Sequence, residues 1–162
     1  MGVMDFLRTH ALSREVADTE GAAQRVFEAA NQLAGEPFFA HTQLTQLSGG
    51  QSRALMIADT ALLSWSPVLL IDEIENAGVD KRKALNLLLA SDKIIVMATH
   101  DPVLALAADR RLVFEQGAVA AVLARTPAED ALLAQLEDME KQWSDVREAL
   151  RKGADMAAWA EC

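Results

Sequence analysis

Across residues 1–46 the apolar positions fall at helical spacing and runs of β-branched residues are absent. Val16, Ala17, Ala23, Val26, Phe27 and Ala30 follow an i, i+3, i+4 pattern. Ser13 reads as the cap that admits this helix, and Gly35-Glu36-Pro37 punctuates its end. Residues 51–63 (QSRALMIADTALL) predict a further helix, opened by Ser48-Gly49-Gly50. The texture changes at Ser66-Pro67. Val68-Leu69-Leu70-Ile71 is a short, wholly apolar run closed by Asp72-Glu73, and Ile94-Ile95-Val96-Met97 is another, closed by Thr99-His100-Asp101. Lys81–Ala90, between them, reads as helix. Two apolar strands joined by a helix make a βαβ unit, and their lack of alternation predicts a parallel sheet covered on both faces. Leu112–Phe114 and Val119–Leu123 flank Gln116-Gly117 and predict a hairpin at that sheet's end. Pro127 opens a helix running to Arg151, with Ala131, Leu132, Leu136, Met139 and Trp143 as its apolar face. Met139, Trp143, Met56 and Phe27 are expected in the core. The expected organisation is therefore a helical subdomain over 1–66, an α/β portion over 67–126 and a helical tail over 127–162.

Composition sets the class. The 162 residues are 51% hydrophobic and 24% charged, which is globular rather than disordered and is long enough to bury a core. A net charge of -9 excludes a general grip on the phosphates of nucleic acid, but not a local anion site built from backbone N–H groups. Cys162 is the single cysteine, so no disulfide or cysteine zinc site can form within the chain, which suits a reducing cytosol. No apolar run approaches the ~20 residues of a membrane helix. The opening MGVMDFLRTH shows no basic stretch followed by an apolar one, so no secretory signal is visible. A cytoplasmic protein is the expectation.

Three places carry chemistry. Leu47-Ser48-Gly49-Gly50-Gln51 opens a helix, where free N–H donors and the positive end of the dipole favour an anion and two glycines let a ligand approach the backbone. A plain Ser N-cap would look the same from Ser-Gly-Gly alone. Asp72-Glu73 stands at the carboxyl end of an apolar strand, where ligands bind in open α/β sheets. One such acid can hold Mg²⁺ while the next polarises a water; a solvated strand end is the plainer alternative. His100 ends the next strand, within reach of a γ-phosphate or an attacking water, although a lone histidine is more often structural and Asp101 before Pro102 can simply cap a helix.

In this order the three resemble the ATP-binding cassette (ABC) ATPases, over residues 47–130. Leu47–Gln51 matches the LSGGQ signature, and Leu69–Glu73 (LLIDE) matches the Walker B strand. Asn76–Asp80 (NAGVD) stands in the place of the D-loop, and His100 in that of the switch histidine. Ala108–Val119 and Thr126–Glu129 are similar to the strand pair and turn that follow. The resemblance implies a P-loop NTPase-type parallel sheet, partial here, with a signature-bearing helical subdomain and a helical tail. It implies ATP and Mg²⁺ as ligands, Asp72 as the magnesium-associated acid, Glu73 as catalytic base and His100 on the γ-phosphate. Ser48, Gly49, Gly50, Gln51 and Asp80 would face nucleotide. The implied activity is ATP hydrolysis coupled to work on a partner, most familiarly as the nucleotide-binding subunit of a transporter, peripheral at the inner face of a membrane and joined to permease subunits. A DNA-maintenance ATPase of the same family, or a non-catalytic module completing another ATPase, are the alternatives.

The chain departs from the family pattern in several places. Ile74 stands where proline usually follows the Walker B glutamate, the D-loop stretch is one residue longer, and Asp59 replaces a common arginine in the signature helix. None of the eight glycines is followed by lysine, so G-x-x-x-x-G-K-[ST] is absent. A P-loop supplies a nest of N–H groups and a lysine on the phosphates, and each such charge-assisted bond is worth ~1.5–3 kcal/mol. The expectation is the back part of a cassette, inactive alone. It would act with a second ABC subunit or a P-loop-bearing chain, over whose ATP the signature can close in trans. Left without that neighbour, the sheet should expose apolar surface and favour self-association.

Overall fold

The computed structural model describes residues 1–72, 74–76 and 78–155. It is mixed α/β and divides into two compact units, Met1–Thr99 and His100–Cys162.

In the first unit, helices α1 (Val3–Ser13), α2 (Thr19–Leu33) and α3 (Gly49–Leu63) pack together. Val3 and Leu7 of α1 and Val26 of α2 are fully buried, and so are Ala11, Ala23, Ala30, Ala54 and Ala58. Small side chains at these contacts bring the helix axes close. Leu7→Ala should therefore leave a cavity the neighbours cannot fill and cost about 3 kcal/mol, read as a lower urea midpoint at unchanged slope. Ser13 does not cap α2. It is the last residue of α1, and its hydroxyl donates to the His10 carbonyl at 2.7 Å. Glu15 at φ 54° turns the chain, and α2 begins only at Asp18, whose carboxylate accepts the Gly21 N–H at 2.9 Å. A carboxylate cap outcompeted the earlier serine.

Strands β1 (Val68–Asp72) and β2 (Ile94–Ala98) pair in parallel, from Val68 opposite Ile94 to Asp72 opposite Ala98. Helix α4 (Lys81–Leu89) is the crossover between them and turns Ala84 and Leu88 inward. The sheet is parallel as expected, yet it is not covered on both faces. Leu69 is buried while Val68, Leu70, Ile94 and Val96 are exposed. The physical reason is that this sheet has two strands, and in the described residues its helical layer meets one face only.

In the second unit, Asp101 caps helix α5 (Pro102–Ala107), accepting the N–H groups of Val103 and Leu104. Strands β3 (Arg110–Glu115) and β4 (Ala118–Ala124) form an antiparallel hairpin. Gln116 and Gly117, at φ 50° and 81°, make the tight turn that matches strand twist. The hairpin is a two-stranded sheet of its own rather than an extension of β1 and β2. Helix α6 (Pro127–Arg151) starts with Pro127 in its first turn and a capping box between Thr126 and Glu129. Its expected apolar face is not core: Leu132, Met139 and Trp143 are exposed, as is Met56 on α3. Among the described residues, no element of their own unit closes on these faces. Phe27 is half-buried, edge-on to Phe38 with ring centres 5.7 Å apart.

Arg111 on β3 pairs with Glu129, fastening the hairpin to the start of α6. The guanidinium hydrogen bond and then the Thr126 N–H hold the Glu129 carboxyl below the usual carboxylate range. A carboxyl depressed in the folded state adds stability above its unfolded value and loses it as pH falls through the folded one. The second unit should therefore weaken in acid below about pH 4.3. Glu129→Gln should flatten that dependence, followed by circular dichroism melts down through the carboxylate range.

Candidate functional site

The chain reaches α3 through a short 3₁₀ turn, Leu44–Gln46. Ser48 caps the helix: its hydroxyl accepts the Gln51 N–H at 3.2 Å, and the Gln51 side chain accepts the Ser48 N–H at 2.9 Å. This reciprocal box satisfies two end groups of the helix and leaves the N–H groups of Gly49 and Gly50 outside its own bonding. Gln51 also donates to the Glu36 carbonyl at 3.2 Å, so its side chain braces the loop after α2. Ser48 and Gly49 are exposed, and a Cβ built on Gly49 would meet nothing within 4 Å. A partly positive, unobstructed helix end suits an oxyanion approaching from outside. Ser48→Ala should cost about 1 kcal/mol of stability through the lost cap, measurable by urea unfolding.

Of the expected D-loop segment, Ala77 lies outside the described residues, and Gly78–Asp80 lie at the root of this helix. Val79 bridges Ala34, and the Asp80 N–H donates to the Leu33 carbonyl at 2.9 Å. Gly78 has φ +65°, and a Cβ there would lie 3.6 Å from the Gly50 Cα. Gly78 is therefore glycine for its left-handed backbone, next to Gly50. Asp80 caps α4, accepting the Lys83 N–H at 3.1 Å, with the Lys83 ammonium 3.5 Å away. In this arrangement its carboxylate serves the helix.

Asp72 ends β1 and is exposed. Glu73 lies outside the described residues. Ile74 is 2% exposed and anchors the turn Ile74–Asn76 in the core. Glu75 follows it and accepts the Thr99 hydroxyl at 2.6 Å, tying the carboxyl end of β1 to that of β2. Sequence reasoning missed this link; the available sign was an acid set directly behind a buried aliphatic. His100 opens the second unit and is exposed, immediately before the Asp101 cap.

Asp59 has an internal use. Its carboxylate is 2.7 Å from His10 Nδ1, at 13% exposure, and Arg14 Nε donates to His10 Nε2 at 3.3 Å. Asp59 therefore pins α3 to α1.

Within the first unit, the fold thus brings Ser48–Gln51 and Gly78–Asp80 together. Among the described residues no group of three or more His, Cys, Asp or Glu side chains could hold a metal. Asp72 fits a divalent ion only if other ligands, such as phosphate oxygens, complete its oxygen shell. Nor is any helix among them long and apolar enough to cross a membrane.

No family model matches the chain. It is 45% identical, over 153 residues, to an uncharacterized ABC transporter ATP-binding protein of Methanocaldococcus jannaschii. The match covers 94% of this chain and 58% of that relative, so the chain spans well under two thirds of the relative's length.

Proposed function

Because the chain belongs to the ATP-binding cassette ATPase family, we propose that it is a nucleotide-hydrolysing module of P-loop NTPase type that works with a P-loop held by another polypeptide segment. The observation that carries this reading is the Ser48-capped N-terminus of α3, open at Gly49, in a sequence that lacks the G-x-x-x-x-G-K-[ST] motif. Such an end gives a triphosphate one face, and the nest and lysine of a P-loop give it the other.

In the completed site Ser48, Gly49 and Gly50 donate to phosphate oxygens, while Gln51 holds the cap in shape. Asp72 orients magnesium, which when bound neutralises charge on the transferred phosphoryl group. Glu73 takes a proton from the attacking water, and His100 donates a hydrogen bond toward the γ-phosphate. Asp80 contributes by fixing the start of α4 beside the signature. The partner is a second ABC subunit or P-loop-bearing chain, and the work done on it is transport through permease subunits at the inner face of a membrane.

ATP with Mg²⁺ should tighten association of this chain with a P-loop-bearing ABC subunit at least ~10-fold, since the signature's phosphate contacts exist only in the liganded complex. Calorimetric titration with and without nucleotide reads this directly. Equal affinity in both would contradict the proposal.

A further inference from the structure

We propose that the outward face of α6 is where a second copy of this chain docks, the two helices packing antiparallel and without nucleotide. The contact uses neither the signature nor the β1–β2 sheet.

The apolar residues of this face are Leu132, Leu136, Met139, Trp143, Val146 and Leu150, one stripe of a continuous helix. They are separated by steps of 4, 3, 4, 3 and 4 residues, the heptad spacing with which two helices pack knobs into holes. Helix α5 packs against α6, and Leu136 and Val146 are half-buried. The rest of the stripe is open: Trp143 is 64% exposed, Leu150 56%, Met139 53% and Leu132 46%. A helix face evolved for water carries polar side chains in that stripe. At ~100° per residue, Glu137, Asp138, Asp145 and Glu148 stand more than about 100° round the helix from Trp143, so these four acids keep clear of it.

Two features of the stripe select a second copy as its occupant. Its steps read the same in both directions. An antiparallel copy therefore sets Leu132 on Leu150, Leu136 on Val146 and Met139 on Trp143, with no seam residue left over. The thioether–indole pair is a favourable contact in its own right. A contact of this kind is self-complementary and closes at two copies. The second feature is charge. Glu140 and Arg147 flank one side of the stripe, and the neutral Gln135 and Gln142 flank the other. An antiparallel copy lays each flank against its own kind. Because side chains lean toward the helix N-terminus, it also brings Glu140 toward Arg147 of the second copy. A parallel copy would lay these charges against glutamines. A pair so joined holds two signature-bearing units together whether or not nucleotide is bound.

The test is sedimentation equilibrium of the 162-residue chain without nucleotide. A monomer–dimer equilibrium is expected, and Trp143→Glu should raise its dissociation constant at least ~30-fold, the effect of losing an aromatic anchor from an interface. Trp143 is exposed in the single chain, so helix content by circular dichroism should stay the same. Register is read by cross-linking in a Cys162→Ser background. Chains carrying Leu132→Cys and chains carrying Leu150→Cys should form a disulfide on mixing and little alone. In the antiparallel pair the two copies of either cysteine stand about 27 Å apart, far beyond the ~7 Å that a disulfide spans. A monomer at every concentration would overturn the proposal. So would a dimer that Leu70→Gln weakens and Trp143→Glu does not, which would place the contact on the β1–β2 sheet. Disulfides within each single-cysteine chain, with no gain on mixing, would overturn the antiparallel arrangement. A pair that forms only once residues 152–162 are removed would overturn the proposal by making the chain's own end the occupant.

Discussion

Glu73→Gln should lower ATP turnover by the P-loop-completed assembly about 10²–10⁴-fold, the usual contribution of a general base. The amide matches the carboxylate in size and can still accept a hydrogen bond from water, but it cannot take the proton. Asp72, one residue earlier at the end of β1, remains to orient magnesium, so ATP affinity should stay within a few-fold of the parent. The split between turnover and affinity is the diagnostic. A merely structural Glu73 would lower both together, through loss of folded protein. Single-turnover hydrolysis alongside equilibrium binding of labelled ATP separates the two outcomes.

Gly49→Asp should abolish the work of the signature without harming the fold. A Cβ at this position meets nothing within 4 Å, so the side chain leaves the backbone into open space. A carboxylate in the first turn of α3 also interacts favourably with the helix dipole, which leaves stability equal or higher by a few tenths of a kcal/mol, about the size of a surface dipole effect. A triphosphate would meet a negative charge where it should meet N–H donors. Losing roughly two charge-assisted bonds predicts a fall in turnover on the order of 100-fold. The urea midpoint of the isolated chain and the turnover of the assembly should therefore move independently. If turnover were unchanged, the helix end would be an ordinary cap.

Much of this was legible in the sequence because local chemistry decided it. Ser48 reads as the cap of α3 from its place before two glycines, though its box with Gln51 came from the structure, and Gln116-Gly117 reads as a tight turn. Two short apolar runs without alternation, with a helical stretch between them, were enough for parallel strands with a helical crossover. What could not be read depends on partners distant in the chain. The apolar runs of β1 and β2 predict two covered faces, but covering requires a further layer that no stretch of these strands encodes. The same holds for Trp143 and Met139, whose helical spacing marks a face without saying what meets it. Ser13 was a plausible cap until Asp18, five residues on, took the role with a carboxylate. Asp59 and Glu75 read as surface acids, and only tertiary contact gives them His10 and Thr99. Among the proposed site residues, Ser48 and Asp80 are the N-caps of α3 and α4, and Gly49 is the first residue of α3.

The central claim is that this chain carries one face of an ATPase site and borrows the other. The most direct measurement is steady-state ATP hydrolysis by the 162-residue chain, first alone and then with a P-loop-bearing ABC subunit whose own Walker B glutamate has been replaced by glutamine. No turnover above background is expected for the chain alone, and turnover on mixing should disappear with Glu73→Gln. Robust turnover by the chain alone, abolished by Glu73→Gln, would show that it needs no borrowed face.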